Sequence, residues 1–491
     1  MLGFINKEEI VSWFVFDPDN RLLFSSPLFW GMFILFYGVY IFTKDHRKFR
    51  TIYVLLFSLF FYYKAGGEYV LLLLASLMFN FILSELMDIT RIQWKRKALL
   101  VILISANLLL LGYYKYTNFF IDNVNSIFSQ HFSLKDIVLP VGISFFTFQA
   151  ISYIIDLYKK QIKPARDLQD FAFYLCFFPQ LVAGPIVRAK DFLPQMEKRL
   201  KLSNRDSGIA IFMIMIGLIK KTVISDYISL NFVDRVFDSP MLYSSFENLM
   251  ATYGYTLQIY CDFSGYSDIA IGLALLMGFK LPENFRTPYK STSITEFWRR
   301  WHISLSSWLR DYLYIPLGGN RKGRIRMYVN LMITMLLGGL WHGASWKFVM
   351  WGGLHGAMLV IEKFFKKKVK LPGGFISKTV SLLLTFHFVA FCWIFFRAEN
   401  FSVAMEVVNN ITDLTFHFSE WLVIIEAYKN VFILFAIGYV MHFLPDRFVS
   451  VVKDKYIALP FVAKAIILGL VFWLVYATSA SGPQPFIYFQ F

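Results

Sequence analysis

Long apolar runs separated by short basic loops are the feature of this sequence that most limits its fold. Runs such as 23–42, 98–114 and 459–479 are each long enough for a helix to cross, or nearly cross, the hydrocarbon core of a bilayer. A helix also satisfies its own backbone hydrogen bonds, which lipid requires. We therefore predict an all-α polytopic membrane protein with about eleven or twelve transmembrane helices.

The composition agrees with a membrane protein. Only 17% of the 491 residues are charged, whereas a soluble protein carries about 25%. The net charge is +16. The Lys and Arg residues that produce it cluster in short loops, as the positive-inside rule requires, and form no continuous basic domain. We therefore expect contacts with membrane lipids and no nucleic-acid partner.

The basic loops also predict the topology. The loops at 43–50, 91–97 and 159–166 are expected on the cytoplasmic side. Segment 171–183 is short, contains Pro179 and lies between basic loops, so we predict a re-entrant hairpin beside a cavity. No internal repeat or linker interrupts the chain, and residues 1–491 are predicted to form a single domain.

Residues 293–343 mix titratable and apolar side chains more densely than any other stretch. Ser293 and Glu296 have the spacing of a capping box, and the apolar residues that follow recur at helical spacing to position 312. We predict one amphipathic helix at the cytoplasmic interface, with His302 at the edge of its apolar face. A hydrogen-bonded histidine that only orients the helix is the structural alternative.

His342 follows an apolar run, 331–340, and precedes Gly343. An ionisable side chain at that depth is a functional candidate, and a neutral buried histidine can take a proton from an attacking hydroxyl. A structural role is the alternative. His355 would lie on the opposite helix face unless the chain bends between the two histidines. No spacing typical of a zinc site occurs, so no metal is predicted.

Asp262 and Asp268 interrupt the apolar run 244–279. Carboxylates within a membrane usually face the interior of a helix bundle or an aqueous path. A turn at the membrane interface is the alternative explanation.

Several stretches together resemble the membrane-bound O-acyltransferase (MBOAT) family, in particular its bacterial branch for alginate and other polysaccharide O-acetylation. The similarity covers about 139–356 and rests on LPVGISFFTFQ (139–149), FPQLVAGP (178–185), DFSGYSD (262–268), FWRRWHISL (297–305), LRDYLYIPLGGN (309–320) and GGLWHG (338–343).

The resemblance implies a helical bundle around a central tunnel, with His342 as the catalytic histidine and His302 as the second. On this reading His302 lies near the cytoplasmic, donor end and His342 nearer the exterior. Residues expected to bind the donor or substrate are Arg299, Arg300, Trp298, Trp341, Asp262 and Ser264.

The implied reaction moves an acetyl group from a cytoplasmic thioester, acetyl-CoA, to an extracytoplasmic polysaccharide. No permanently bound cofactor is expected. The expected partner is a periplasmic or secreted SGNH-type acetyltransferase, and the expected location is the bacterial inner membrane.

The segment PFIYFQF (485–491) resembles the tyrosine-bearing tail of the small protein that accompanies a related D-alanyl transferase. By that analogy Tyr488 is a candidate acyl relay. An aromatic anchor at the membrane interface is the alternative.

Other functions stay open at this point. They are D-alanyl transfer from a carrier-protein thioester, acylation of a lipid and, from a different class, transport or flipping of a substrate.

Overall fold

The computed structural model describes residues 7–19, 21–198, 202–365, 374–413, 418–478 and 484–487. Every regular element within these ranges is a helix, as predicted. The α-helices are α1 (Lys7–Phe14), α2 (Pro27–Thr43), α3 (Arg47–Gly66), α4 (Tyr69–Ile89), α5 (Gln93–Phe128), α6 (Ile143–Tyr158), α7 (Leu168–Cys176), α8 (Phe178–Leu181), α9 (Ala189–Met196), α10 (Asn204–Leu218), α11 (Asp234–Asp238), α12 (Ser245–Leu276), α13 (Ile294–Arg300), α14 (Ile303–Leu309), α15 (Arg324–His342), α16 (Trp346–Phe365), α17 (Phe375–Arg397), α18 (Phe401–Thr412), α19 (Phe418–Ala427), α20 (Lys429–Phe443), α21 (Asp446–Ala458) and α22 (Phe461–Thr478).

Shorter helical turns connect some of these elements. π-helical turns at Ile219–Asp226 and Ser229–Val233 join α10 to α11, and another at Arg310–Tyr314 extends α14. 3₁₀ turns occur at Pro240–Leu242 and Pro288–Lys290.

Seven helices in the described part of the chain are long and apolar enough to cross a membrane, or eight if α19 and α20 form one bent span. The sequence indicated about eleven or twelve. The difference lies in shorter or more polar helices. For example, α2 and α6 have 17 and 16 residues, whereas a helix needs about 20 to cross the hydrocarbon core.

Contacts divide the chain into two compact units, and the prediction of a single domain stays a prediction. The first unit contains Met1–Ala210 and Ile269–Pro282. Its interior includes the predicted re-entrant segment, which forms two short helices, α7 and α8, in place of one span. Phe178 of α8 packs its ring against Phe57 and Phe36, with ring centroids 5.1 and 6.1 Å apart.

The second unit contains Ile211–Asp268 and Glu283–Phe491. Its central feature is a hairpin of α15 and α16, whose helices touch backbone to backbone. A Cβ atom on Gly339 would overlap the carbonyl oxygen of Phe348, and one on Gly352 would overlap that of Met335. Glycine at both positions therefore permits a close approach that any side chain would prevent.

Candidate active site

His302 lies at a break between two helices of the second unit. The cap predicted at Ser293 is confirmed, because its Oγ accepts a hydrogen bond from the Glu296 N–H at 3.1 Å. However, α13 ends at Arg300 and α14 begins at Ile303. His302 between them has a left-handed backbone, with φ 42° and ψ 56°. The prediction of one continuous helix is therefore wrong at this point.

Hydrogen bonds from the preceding loop explain the break. The Arg286 N–H donates to the carbonyl oxygen of Arg300, and the Ile303 N–H donates to that of Asn284, both at 2.9 Å. These bonds satisfy backbone groups that the interrupted helix leaves without helical partners. A left-handed non-glycine residue is strained by about 1–3 kcal/mol, and the loop contacts offset that cost. His302 itself is fully buried.

Asn284 orients the His302 ring. Its Oδ1 lies 3.1 Å from His302 Nδ1 and also accepts hydrogen bonds from the Ser304 N–H and Oγ–H. Because a backbone N–H can only donate, this Asn284 atom is the amide oxygen, and His302 Nδ1 must carry the proton. The basic lone pair is then on Nε2.

Burial also determines the charge of His302. Removal from water lowers the pKa of the ring to about 3, because the charged form is disfavoured in an apolar environment. The ring is therefore neutral at ordinary working pH, with one donor and one acceptor nitrogen.

His342 is the last residue of α15, and Gly343 after it has an extended backbone. Its side chain is 2% exposed. The ring makes edge contacts with Trp351 of α16 and Phe396 of α17, with centroids 5.0 and 5.5 Å apart. An imidazole in such aromatic surroundings is shielded from water.

Trp341 connects the two histidines. Its ring centroid lies 6.2 Å from that of His302 and 5.0 Å from that of His342. Both imidazoles thus lie against one indole, and the structure groups them in one cluster. The sequence had suggested two separate ends of a tunnel, because it predicted that the His302 helix lies at the interface.

His355 lies in the same aromatic region. The bend that a shared location requires is the turn between α15 and α16. Trp351 contacts both His342 and His355, with centroids 5.0 and 4.9 Å away. His355 is fully buried, and within the described residues neither of its ring nitrogens has a hydrogen-bond partner.

The predicted donor-binding residues of α13 lie on different sides of the helix. Trp298 packs against Trp351 and His355, with centroids 5.6 and 5.2 Å away. Arg299 is exposed, whereas Arg300 forms an ion pair with Glu296 at 2.8 Å. The cationic residues that follow α14 are also exposed; they are Arg321 and Lys322 in the loop, and Arg324 and Arg326 in the first turn of α15. Their attraction for donor phosphates stays a prediction.

Asp262 and Ser264 lie on α12 and are both buried. An oxygen of Asp262 is 2.5 Å from Lys221 Nζ, and Asp268 pairs with the neighbouring Lys220 at 2.8 Å. Both carboxylates therefore have internal partners, and neither is at an interfacial turn between two helices. A role of Asp262 or Ser264 in substrate binding stays a prediction.

Tyr488 lies outside the described residues. Within the described ranges, no group of three or more His, Cys, Asp and Glu side chains could hold a metal ion.

Sequence reasoning did not identify Asn284, Trp351 or Asp226, whose Oδ1 lies 2.7 Å from Lys221 Nζ. Asn284 lies in an irregular loop, where no periodicity marks it. Lys221 lies inside an apolar run of the sequence, and a lysine in such a run is a signal of a paired intramembrane charge.

Comparison with known proteins identifies the family. A model of the membrane-bound O-acyltransferase family matches residues 165–404, a range that includes both histidines and Asn284. A peptidoglycan O-acetyltransferase of Helicobacter pylori is 38% identical over 423 residues, which cover 80% of each chain. A probable alginate O-acetylase of Pseudomonas putida is 41% identical over 409 residues, 82% of this chain and 81% of the relative.

A more distant relative transfers a different acyl group. The teichoic acid D-alanyltransferase of Bacillus subtilis is 29% identical over 286 residues, 55% of this chain and 72% of the relative. The matches to the two O-acetyltransferases extend over most of both chains. The chain therefore belongs to the membrane-bound O-acyltransferase family and is a multi-pass membrane O-acyltransferase.

Proposed function

We propose that this protein transfers an acetyl group from acetyl-CoA, on the cytoplasmic side, through the membrane for O-acetylation of an extracytoplasmic polysaccharide. The names of two relatives that match over most of both chains, a peptidoglycan O-acetyltransferase and an alginate O-acetylase, support a glycan acceptor. On this proposal the protein is located in the bacterial inner membrane. The observation that carries it is the pair of buried imidazoles against Trp341.

In the proposed step, His342 acts as the general base. It takes the proton of the attacking hydroxyl, while the hydroxyl oxygen forms a bond to the thioester carbonyl carbon. The carbon–sulfur bond then breaks, and the departing thiolate takes the proton from the imidazolium. Atoms and charge balance without a metal ion or any further reactant.

His302 is proposed to act as a neutral partner for the thioester. Its Nδ1–H is directed at Asn284, so the ring is fixed in orientation and protonation state. The predicted contributions of Trp298, Trp341, Arg299 and Arg300 are to enclose the donor and attract its phosphates.

The acetyl group is proposed to reach the glycan in two steps. The Tyr488 hydroxyl first accepts it from the thioester, and a secreted or periplasmic SGNH-type acetyltransferase then carries it to the polysaccharide. Full activity of Tyr488→Phe towards the extracytoplasmic partner would remove the relay from this proposal.

D-alanyl transfer is the second candidate, because a D-alanyltransferase is among the relatives. It requires an acidic carrier protein with a thioester arm as donor. Lipid acylation is a third possibility. Membership of an acyltransferase family argues against transport without chemistry.

The test uses purified protein in nanodiscs with [¹⁴C]acetyl-CoA, with D-alanyl carrier protein as the competing donor. We expect acetyl transfer that falls by about 10²–10⁴-fold in His342→Ala, the range that a general base contributes. His387→Ala is the matched control, because His387 is exposed on α17 and bonds to the carbonyl oxygen of Leu383. Undiminished turnover in His342→Ala would overturn the assignment, and label found only in the lipid fraction would favour lipid acylation.

A further inference from the structure

The segment Gln484–Ile487 enters the second unit close to His302, with Pro485 exposed and the two residues after it buried. Phe486 and Ile487 are 1% and 4% exposed. The Phe486 ring packs against Phe263 of α12, with centroids 5.2 Å apart, and Phe263 packs against His302 at 4.6 Å. Phe263 therefore contacts both the segment and the histidine.

A cluster of charged residues holds the backbone of the segment. Lys221 Nζ lies 2.5 Å from Asp262 Oδ1 and 2.7 Å from Asp226 Oδ1, and it donates to the carbonyl oxygen of Pro485 at 3.2 Å. An ammonium group has three N–H donors. The three contacts of Lys221 therefore use its full bonding capacity, and one of them is made by the segment.

Asp262 completes the attachment. Its second oxygen accepts a hydrogen bond from the Ile487 N–H at 3.0 Å. The cluster thus binds the carbonyl oxygen of Pro485 and the N–H of Ile487, which are two residues apart in the same segment. Together the two contacts define the register of the segment against the cluster.

The energetic balance indicates what such a cluster contributes. Buried charges are costly to desolvate, and an ion pair in an apolar interior often adds no more stability than apolar side chains of equal volume. One well-supported use of buried polar groups is to specify a register. Here the register places Phe486 beside Phe263, and Phe263 beside His302.

We propose that Lys221 and Asp262 are positioning residues that fix Gln484–Ile487 as one wall of the His302 site. Through Phe486 and Phe263, the segment holds His302 in the orientation that acyl transfer needs. The effect on turnover rests on the proposed function, whereas the attachment itself does not.

The attachment is tested by hydrogen–deuterium exchange of the full-length protein in nanodiscs, read at the Ile487 amide. We expect Lys221→Met and Asp262→Ala to speed this exchange by about tenfold or more, since each removes a charged partner of a buried hydrogen bond. Lys221→Arg, which keeps the charge, should restore most of the protection.

Lys220→Met is the matched control. Lys220 is adjacent in sequence and pairs with a different carboxylate, Asp268. Its loss should leave the Ile487 amide protected. Phe486→Ala changes the segment and leaves the charge cluster intact. It therefore tests the contact between the segment and the His302 site even if a cluster variant fails to fold.

The effect of the loosened segment on the His302 site is measured by steady-state kinetics with acetyl-CoA. We expect kcat to fall in Lys221→Met and Phe486→Ala with KM for acetyl-CoA little changed. Protection of Ile487 in both cluster variants would overturn the attachment. Fast exchange with unchanged kcat would overturn the positioning role. If wild-type protein transferred no acetyl group, the proposed function would be wrong. The hydrogen–deuterium exchange of Ile487 would still test the attachment, because it does not depend on activity.

Discussion

His302 Nδ1 and Asn284 Oδ1 face each other at 3.1 Å in the buried interior of the second unit. Asn284 Nδ2 in turn donates to Ser267 Oγ of α12 at 3.1 Å. The amide is therefore held at both ends, and through it α12 determines the orientation of an imidazole on a separate segment. This arrangement makes the protonation state of His302 a property of the surrounding fold.

Replacement of Asn284 should impair catalysis more than folding. Asn284→Ala removes the acceptor that keeps the proton on Nδ1, and we expect kcat to fall by about 10²-fold, the effect of a small misplacement of a reacting group. Asn284→Asp keeps an acceptor and should retain more activity. The measurement is steady-state acetyl transfer by purified variants.

Asn248→Ala is the control for loss of a buried asparagine. Asn248 is also fully buried, but it bonds to the backbone oxygens of Pro240, Tyr243 and Ser244. Lower thermal stability with near-normal kcat is expected there. Equal kcat losses in the two alanine variants would contradict a specific role for Asn284.

The α15–α16 hairpin should not tolerate a side chain at Gly339. Gly339→Ala places a methyl group against the Phe348 carbonyl oxygen, and we expect destabilisation of about 1–3 kcal/mol, typical of overpacking. Gly353→Ala is the matched change, because its Cβ would meet only Leu336 at 3.5 Å, an ordinary contact. Thermal unfolding in detergent compares the two, and similar melting temperatures would show that the close approach is not required.

Acid should destabilise the protein partly through His302. In the unfolded chain the ring titrates near its ordinary pKa of about 6.5, whereas burial lowers the pKa in the folded protein to about 3. Between these values the unfolded state binds a proton that the folded state does not, so stability falls as the pH falls from about 6.5 towards 3. Above about pH 6.5 the full contribution is present.

His302→Asn tests this pH dependence, because asparagine does not titrate in this range and accepts the left-handed backbone. Melting temperatures at pH 7.5, 5.5 and 4.5 should fall less steeply in the variant than in the wild-type protein. Parallel curves would mean that other groups account for the acid sensitivity.

Local patterns in the sequence were sufficient to predict the fold class and part of the candidate site. Apolar runs of bilayer length predict helices, because lipid offers no partner for backbone polar groups. The cap at Ser293 depends on neighbours three residues apart, and the structure confirms it. The apolar run before His342 is consistent with its burial in the structure, whereas its depth in the membrane stays a prediction.

Only the tertiary structure determined how the site is assembled. Periodicity predicted a helix through His302, but backbone hydrogen bonds with Asn284, which accepts, and Arg286, which donates, end it there. Those bonds depend on a loop whose position no local pattern specifies. In the same way Lys221 and Ile487, 266 positions apart in the numbering of the chain, meet at Asp262. Contacts between residues this distant in sequence form only when the helices pack, so spacing along the chain does not reveal them.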